Sequence, residues 1–295
     1  IGQEVLRDQA IASAEKCASS DKASAELKDA FAKFMETKQD TKANTPATEV
    51  LVAELEKAAA AGCPDAKAAL EKKDYLAKKS VWIFGGDGWA YDIGFGGLDH
   101  VLASGHNVNV MVFDTEMYSN TGGQASKASN IGEVCQFAAA GKEVGKKSLA
   151  EIAMSYGYVY VAQIALGANM AQAVKVLAEA EAYDGPSLII GYAPCELHGV
   201  KGGMNHCQDE MKKAVAAGYW NLFSFNPALK AEGKNPFTLT SKPGDGTYQE
   251  FLNNETRYSR LTRSFPERAA KLFAASEEAA KARYEHLLRL VELYK

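Results

Sequence analysis

Short apolar segments rich in β-branched residues alternate with helical segments in the middle of this chain, and that alternation restricts the fold most. The apolar segments cover residues 81–84, 108–113, 158–164 and 187–192. Strands that alternate with helices favour a parallel sheet joined by right-handed crossovers. In such a sheet a ligand binds beyond the carboxyl ends of the strands. The sequence therefore predicts an α/β fold, a parallel sheet flanked by helices, with any site in the loops that follow the strands.

The chain before this core is predicted to be helical. Residues 1–79 are rich in Ala, Glu and Lys, with apolar residues at helical spacing. Ser, Asp, Asn, Gly and Pro predict helix breaks at residues 19–21, 41–46 and 62–64. We interpret residues 1–79 as a helical connector or covering segment, part of the same domain as the α/β core of residues 80–220.

The last part, residues 221–295, differs in amino-acid composition. As far as Gly246 it is rich in Asn, Pro, Gly and Lys, and we expect residues 221–253 to form a surface excursion that packs on a neighbouring domain or subunit. After Ser264 and Pro266 the pattern predicts a long helix. Its alternating Glu and Lys or Arg residues are typical of a solvated face.

Composition excludes several classes of protein. A net charge of −4, with both signs interspersed, gives no basic surface for nucleic acid. No stretch approaches the roughly 20 apolar residues of a membrane span. The five cysteines are scattered and contain no CxxC pair, which favours a reducing compartment over a disulfide framework. The chain starts at Ile1 without a leader pattern, so we expect a processed or truncated product.

A glycine-rich turn follows the first predicted strand. It reads Gly85-Gly86-Asp87-Gly88-Trp89 and leads into a helix-like segment. Glycines at a strand-to-helix turn let backbone N–H groups approach a phosphate, and the helix N-terminus adds a partial positive charge. Tyr91 stands where a dinucleotide fingerprint needs glycine, and no P-loop Lys follows. The carboxylate of Asp87 would repel a bare phosphate, so the turn predicts a bound divalent cation.

The second predicted strand ends in the run Asp114-Thr115-Glu116-Met117-Tyr118-Ser119-Asn120-Thr121-Gly122-Gly123-Gln124. A βαβ unit brings successive strand ends side by side, so Asp87 and Thr115 are expected to meet at one cation. Mg²⁺ prefers such oxygen ligands together with phosphate oxygens.

Together these two segments are typical of thiamine diphosphate enzymes, and the combination of GDGWAYDIG with DTEMYSNTGGQ resembles the pyruvate:ferredoxin oxidoreductase family. Asp114-Thr115 stands where other thiamine enzymes commonly have an Asn pair. The resemblance extends over most of residues 80–295. A second Gly-Asp-Gly, at residues 244–246, follows no predicted strand and is interpreted as a turn.

The resemblance implies roles for individual residues. Asp87 and Thr115 would be side-chain ligands of Mg²⁺, Met117 would offer its backbone carbonyl, and Asn120 would lie near the thiazolium and the substrate as the catalytic residue. The implied thiamine diphosphate-binding residues are Gly86, Asp87, Gly88, Trp89, Thr115, Met117, Asn120 and Thr121.

Cys195, in Tyr192-Ala193-Pro194-Cys195, matches a family position that binds a [4Fe–4S] cluster. Taken alone, a single cysteine is more often a small buried hydrophobe. Cys207 has neighbouring histidines but fits no zinc spacing, and the resemblance assigns it nothing.

The implied reaction is the oxidative decarboxylation of pyruvate with coenzyme A to acetyl-CoA and CO₂, with electrons passing to ferredoxin or flavodoxin. The other cluster cysteines, the group that activates thiamine and the coenzyme A site would lie in the remaining domains of the same polypeptide. We therefore expect a C-terminal fragment that is inactive by itself, from a homodimer in the cytoplasm or a hydrogenosome-like organelle. The alternatives are a related 2-oxo acid or NADP-linked oxidoreductase, and a non-catalytic assembly remnant.

Overall fold

The computed structural model describes residues 2–295, which divide into two compact units, one ending at Val81 and one from Trp82 to Lys295. No helix among these described residues is long and apolar enough to cross a membrane. The boundary lies close to residue 80, where the sequence pattern changes.

The first unit is helical, as predicted. Its helices are α1 (Gly2–Ala18), α2 (Ala25–Glu36), α3 (Thr41–Ala60) and α4 (Pro64–Leu70), followed by a 3₁₀ turn at Lys73–Tyr75. Each helix turns an apolar stripe inward, and the unit has a hydrophobic core of its own that includes Leu27, Phe34, Leu51, Leu55 and Leu76.

The helix break predicted at residues 41–46 is wrong. The helix α3 starts at Thr41, because one carboxylate oxygen of Asp40 accepts hydrogen bonds from the N–H groups of Lys42 and Ala43 at 2.9 and 3.0 Å. Such a cap satisfies backbone donors that the first turn leaves free. Pro46 lies inside the helix.

The second unit is built on a six-stranded sheet in the order β1-β2-β4-β3-β5-β6. The strands are β1 (Trp82–Gly86), β2 (Asn109–Asp114), β3 (Tyr160–Ile164), β4 (Ser187–Tyr192), β5 (Phe223–Phe225) and β6 (Phe237–Leu239). The first four are parallel, with Gly86 opposite Phe113 and Asp114 opposite Tyr192. The predicted α/β fold with a parallel sheet and a preceding helical segment is confirmed.

Helices cover both faces of this sheet. They are α5 (Phe95–Ala103), α6 (Leu149–Met154), α7 (Met170–Ala182), α8 (Cys207–Ala216), α9 (Ala228–Ala231), α10 (Tyr248–Asn254), α11 (Thr256–Ser264) and α12 (Pro266–Leu293). Side chains alternate along each strand, so Val110 and Val112 belong to the larger core, while Met111 packs in a second cluster with α7 residues such as Val176.

The structure differs from the expected surface excursion at residues 221–253. Within this segment β5 pairs antiparallel with β3, and β6 pairs with β5. Phe223, Phe225 and Phe237 are buried in the main core. The segment extends the sheet because these aromatic side chains bury their apolar surface against it, which outweighs the turn-forming composition around them.

Candidate functional site

A cavity of about 820 Å³ opens at the carboxyl ends of β1 and β2. All eight residues predicted to bind the cofactor line it: Gly86, Asp87, Gly88, Trp89, Thr115, Met117, Asn120 and Thr121. Phe84 and Phe113, whose rings stack with centroids 6.2 Å apart, form an apolar part of its wall. Two neighbouring parallel strands thus bring together residues that lie about thirty positions apart in the sequence.

Asp87, Thr115 and Met117 form one group of oxygen atoms at this edge. One carboxylate oxygen of Asp87 accepts hydrogen bonds from the Thr115 N–H at 3.0 Å and from the Thr115 hydroxyl at 2.8 Å. The Thr115 hydroxyl also lies 3.1 Å from the Met117 carbonyl oxygen. The Thr115 hydroxyl therefore contacts both the Asp87 carboxylate and the Met117 carbonyl.

The second carboxylate oxygen of Asp87 has no hydrogen-bond partner among the described residues, although Asp87 is only 1% exposed. Burial, together with the nearby carboxylate of Asp114, raises the pKa of Asp87 to about 7. A buried charged oxygen without a partner is costly. A divalent cation would satisfy it, so the residues present fit Mg²⁺ with oxygen ligands.

No three His, Cys, Asp or Glu side chains within residues 2–295 form a group that could hold a metal by themselves. A cation at Asp87 would therefore depend on the Thr115 hydroxyl, the Met117 carbonyl and oxygens of a bound ligand. Diphosphate oxygens are suitable ligands of this kind.

Glycines let the wall of the cavity pack closely. A Cβ atom at Gly88 would lie 2.5 Å from the Tyr118 ring, and one at Gly85 or Gly94 would collide with the Trp89 ring. Trp89 is therefore held between two glycines while it also lines the cavity. The helical turn Gly88–Ile93 begins directly after Asp87.

Comparison with known proteins shows what the chain is similar to. The family model described as "Thiamine pyrophosphate enzyme, C-terminal TPP binding domain" matches residues 50–190. The chain is 61% identical over 221 residues to a pyruvate:ferredoxin oxidoreductase of Moorella thermoacetica, covering 75% of this chain and 19% of that protein. It is 49% identical over 265 residues to a pyruvate-flavodoxin oxidoreductase of Klebsiella pneumoniae, covering 90% and 22%.

The chain is similar over most of its length to the pyruvate:ferredoxin and pyruvate-flavodoxin oxidoreductases. The resemblance inferred from the sequence is thus confirmed. A third relative, the mitochondrial pyruvate dehydrogenase [NADP(+)] of Euglena gracilis, is 55% identical over 220 residues, which cover 75% of this chain and 12% of that protein. The chain spans about a fifth of the length of the curated oxidoreductases described above.

Cys195 lies beside this cavity and is 1% exposed. Its Sγ atom is 3.4 Å from Met117 Sδ, 3.5 Å from His198 Nδ1 and 3.6 Å from Ser119 Oγ. Cys195 therefore contacts the same loop that carries the Asp87 partners. The loop after β4 and the loop after β2 meet here because their strands are neighbours.

Buried charges that the sequence analysis did not identify lie directly behind the site. The ammonium of Lys146 is 2.8 Å from Asp114 and 3.2 Å from Glu116. Burial raises the pKa of Asp114. Burial also opposes ionisation of Glu116, but Lys146 and Arg257 outweigh it and hold the pKa of Glu116 below its ordinary value.

Arg257, on α11, completes this buried charge cluster. Its side chain is fully buried and lies 2.8 Å from Glu116, 3.7 Å from Glu133 and 2.6 Å from Glu255. It also donates a hydrogen bond to the Thr115 carbonyl at 2.7 Å. The residue that follows Thr115, Glu116, has a φ of +69°, which is unusual for a side chain with a Cβ. These ion pairs therefore hold the backbone of the site loop in a strained conformation.

Proposed function

We propose that this chain holds Mg²⁺ and the diphosphate of thiamine diphosphate in an enzyme that oxidises pyruvate with coenzyme A to acetyl-CoA and CO₂. Electrons would pass through iron–sulfur clusters to ferredoxin or flavodoxin. The names of the relatives and the thiamine-binding family model support this proposal. Since the chain spans about a fifth of those relatives, the remaining groups would come from other domains of a longer polypeptide, and the chain alone would be inactive.

One observation carries the proposal: the unpartnered, buried carboxylate oxygen of Asp87 at the wall of the cavity, next to Thr115 and Met117. In the proposed site these three residues bind Mg²⁺ through a carboxylate, a hydroxyl and a carbonyl oxygen. Hydrogen bonds from Thr115 fix the other oxygen of Asp87, so the unpartnered one remains directed at the cation.

The other lining residues would bind and enclose the cofactor. Gly86 and Gly88 leave the backbone open to the diphosphate, and Trp89 and Thr121 line its surroundings. Asn120 would lie near the thiazolium as the residue in contact with substrate. When bound, thiamine diphosphate supplies an electron sink for the decarboxylation of a 2-oxo acid. Phe84 and Phe113 give the cavity an apolar wall on one side.

Cys195 would provide one thiolate of a [4Fe–4S] cluster, which needs four. Its position in contact with Met117 and Ser119 would place that cluster close to the cofactor cavity. A short separation favours electron transfer from the substrate side. Three further cysteines would have to come from other domains.

The sequence offers a matched pair of variants to test the cation site. Asp87→Asn keeps the size of the side chain but removes its charge, so Mg²⁺-dependent binding of thiamine diphosphate should fall by at least about 100-fold. Asp245→Asn changes the same residue of the second Gly-Asp-Gly, where the exposed Asp245 carboxylate accepts hydrogen bonds from the N–H and hydroxyl of Thr247. The Asp245→Asn variant should bind thiamine diphosphate with normal affinity.

Binding is measured by calorimetric titration of the purified full-length protein with and without Mg²⁺. Equal affinity of Asp87→Asn and Asp245→Asn would contradict the proposed cation site. A loss of affinity confined to Asp87→Asn, together with an unchanged thermal unfolding midpoint, would support the proposed cation site.

A second candidate is an NADP-linked pyruvate oxidoreductase, because the Euglena gracilis relative carries that name and is 55% identical. Measuring pyruvate oxidation with NADP⁺, ferredoxin or flavodoxin as the electron acceptor distinguishes the two candidate functions. A preference for another 2-oxo acid would keep the site chemistry but change the substrate, and bound cofactor without turnover would favour the non-catalytic remnant. We propose a homodimer located in the cytoplasm, or in a hydrogenosome-like organelle in a eukaryote.

A further inference from the structure

Two cysteines that the proposed site does not use face each other in the first unit. Cys17 lies near the end of α1, and Cys63 immediately precedes α4. Their Sγ atoms are 3.0 Å apart, and both are free thiols. A disulfide has an S–S distance of about 2.05 Å. A movement of about 1 Å, within reach of small side-chain rotations, would therefore join them.

The two thiols differ in their surroundings. Cys17 is 3% exposed, whereas Cys63 is partly exposed; both line a cavity of about 710 Å³ formed entirely by residues of the first unit. The Cys63 sulfur also accepts a hydrogen bond from the Ala66 N–H at 3.4 Å. A small solute can thus reach Cys63 through the cavity. Burial, followed by the contact with Cys63, raises the pKa of Cys17 to about 12.

We propose that Cys17 and Cys63 are a dithiol that a small-molecule disulfide converts reversibly into a disulfide between α1 and the start of α4. The Cys63 thiolate attacks one sulfur of the oxidant, forms a mixed disulfide and releases the other sulfur as a thiolate. Cys17 then loses its proton and attacks the Cys63 sulfur, which expels the second thiolate. The protein loses two protons and two electrons as its two S–H bonds are replaced by one S–S bond, and the oxidant takes them up as its own S–S bond is broken to give two thiols.

The new bond would stabilise the first unit. It would close a loop between positions 46 residues apart, which restricts the unfolded chain more than the folded one. Reduced and oxidised protein should therefore differ in thermal stability even though the thiols already touch in the folded state. This inference does not depend on the proposed cofactor site.

The test uses oxidised and reduced glutathione as the redox buffer and the purified full-length protein. Free thiols are trapped by alkylation, and peptides are identified by mass spectrometry. We expect a Cys17–Cys63 linked peptide that appears with oxidation and disappears on reduction. Oxidation should also raise the unfolding midpoint of the first unit by about 10 °C or more.

Matched variants keep the result interpretable. Cys207 is partly exposed and has no cysteine contact among the described residues, so Cys207→Ser should retain both the linked peptide and the stability shift. Cys17→Ser should stop at a mixed disulfide on Cys63, and Cys63→Ser should show no shift. Full alkylation of Cys17 and Cys63 after oxidation of the folded wild-type protein would overturn the proposal, as would a stability shift that persists in Cys63→Ser.

Discussion

At the wall of the cavity, Gly88 is a residue whose missing side chain matters. A Cβ atom there would approach the Tyr118 ring to 2.5 and 2.6 Å, so Tyr118 would have to move. Gly97, in contrast, is exposed on α5 and a Cβ there would meet nothing within 4 Å among the described residues. The same substitution should therefore have opposite effects at the two glycines.

We expect Gly88→Ala to lower the free energy of unfolding by about 1–3 kcal/mol, the usual cost of overpacking. Gly97→Ala should raise it by about 0.5–1 kcal/mol, because alanine favours the helix. Urea unfolding monitored by circular dichroism compares the two variants with the wild type. An unchanged urea midpoint for Gly88→Ala would show that the Tyr118 contact is not a tight one.

The residues of the site differ in how far the sequence could predict them. Asp87 and Thr115 each follow an apolar strand, so the rule for parallel sheets was enough to bring them together. Arg257 contacts Glu116 across 141 positions, and nothing local marks either residue as buried. A charged residue in a polar, helical segment ordinarily predicts exposure. Only the tertiary structure shows that Arg257 lies behind the site.

Among the elements, α11 and the long loop between β2 and α6 are joined by buried charges. Glu133, in that loop, is fully buried beside Arg257 and accepts a hydrogen bond from the Tyr258 hydroxyl at 3.1 Å. Burial dominates over the attraction of Arg257 and raises the pKa of Glu133 from 4.5 to about 8. The folded protein therefore holds a proton there that the unfolded chain releases at lower pH.

This proton gives stability a definite pH dependence. Between about pH 4.5 and 8 the folded state binds more protons at Glu133 than the unfolded state, so stability should fall as the pH rises through this window. In Glu133→Gln the decrease in unfolding free energy over this pH window should be smaller, by an amount on the order of a few kcal/mol. Chemical unfolding at several pH values measures this decrease, and Glu250→Gln, at an exposed position, is the control. Parallel pH profiles for the two variants would contradict this prediction.

The strands were not equally predictable. The sequence predicts the four parallel strands because each is a run of apolar residues. It does not predict β5 and β6, which have only three residues each. Such short strands are surrounded by Asn, Pro, Gly and Lys, whose turn-forming tendency dominates any local pattern. Burial of Phe223 and Phe225 against the core favours strand formation here, and that contact is not visible in the local sequence.

For the whole molecule, the proposed path of electrons leads past Cys195. Cys195→Ser removes the proposed thiolate ligand but leaves Asp87 and Thr115 unchanged. We expect viologen reduction that depends on pyruvate and coenzyme A to fall at least about tenfold, because a hydroxyl is a poor ligand for an iron–sulfur cluster. Thiamine diphosphate binding should stay normal.

The assay uses the full-length protein purified without oxygen, and electron paramagnetic resonance follows the cluster signals. Cys135→Ser serves as the control, since Cys135 is also buried near Met117 but has no proposed ligand role. Full viologen reduction and unchanged cluster signals in Cys195→Ser would rule out the ligand role. Equal losses in both variants would point to packing instead.

Trp89, held between Gly85 and Gly94, also gives the molecule an internal optical reporter. The chain has three tryptophans, and Trp89 lines the cavity, whereas Trp220 is buried in the main core and Trp82 bonds Glu181. Its ring cannot easily turn away, because both glycine positions lie against it. We therefore expect emission from this indole to respond to whatever fills the space beside Asp87, so that fluorescence would follow occupancy of the site without any added dye.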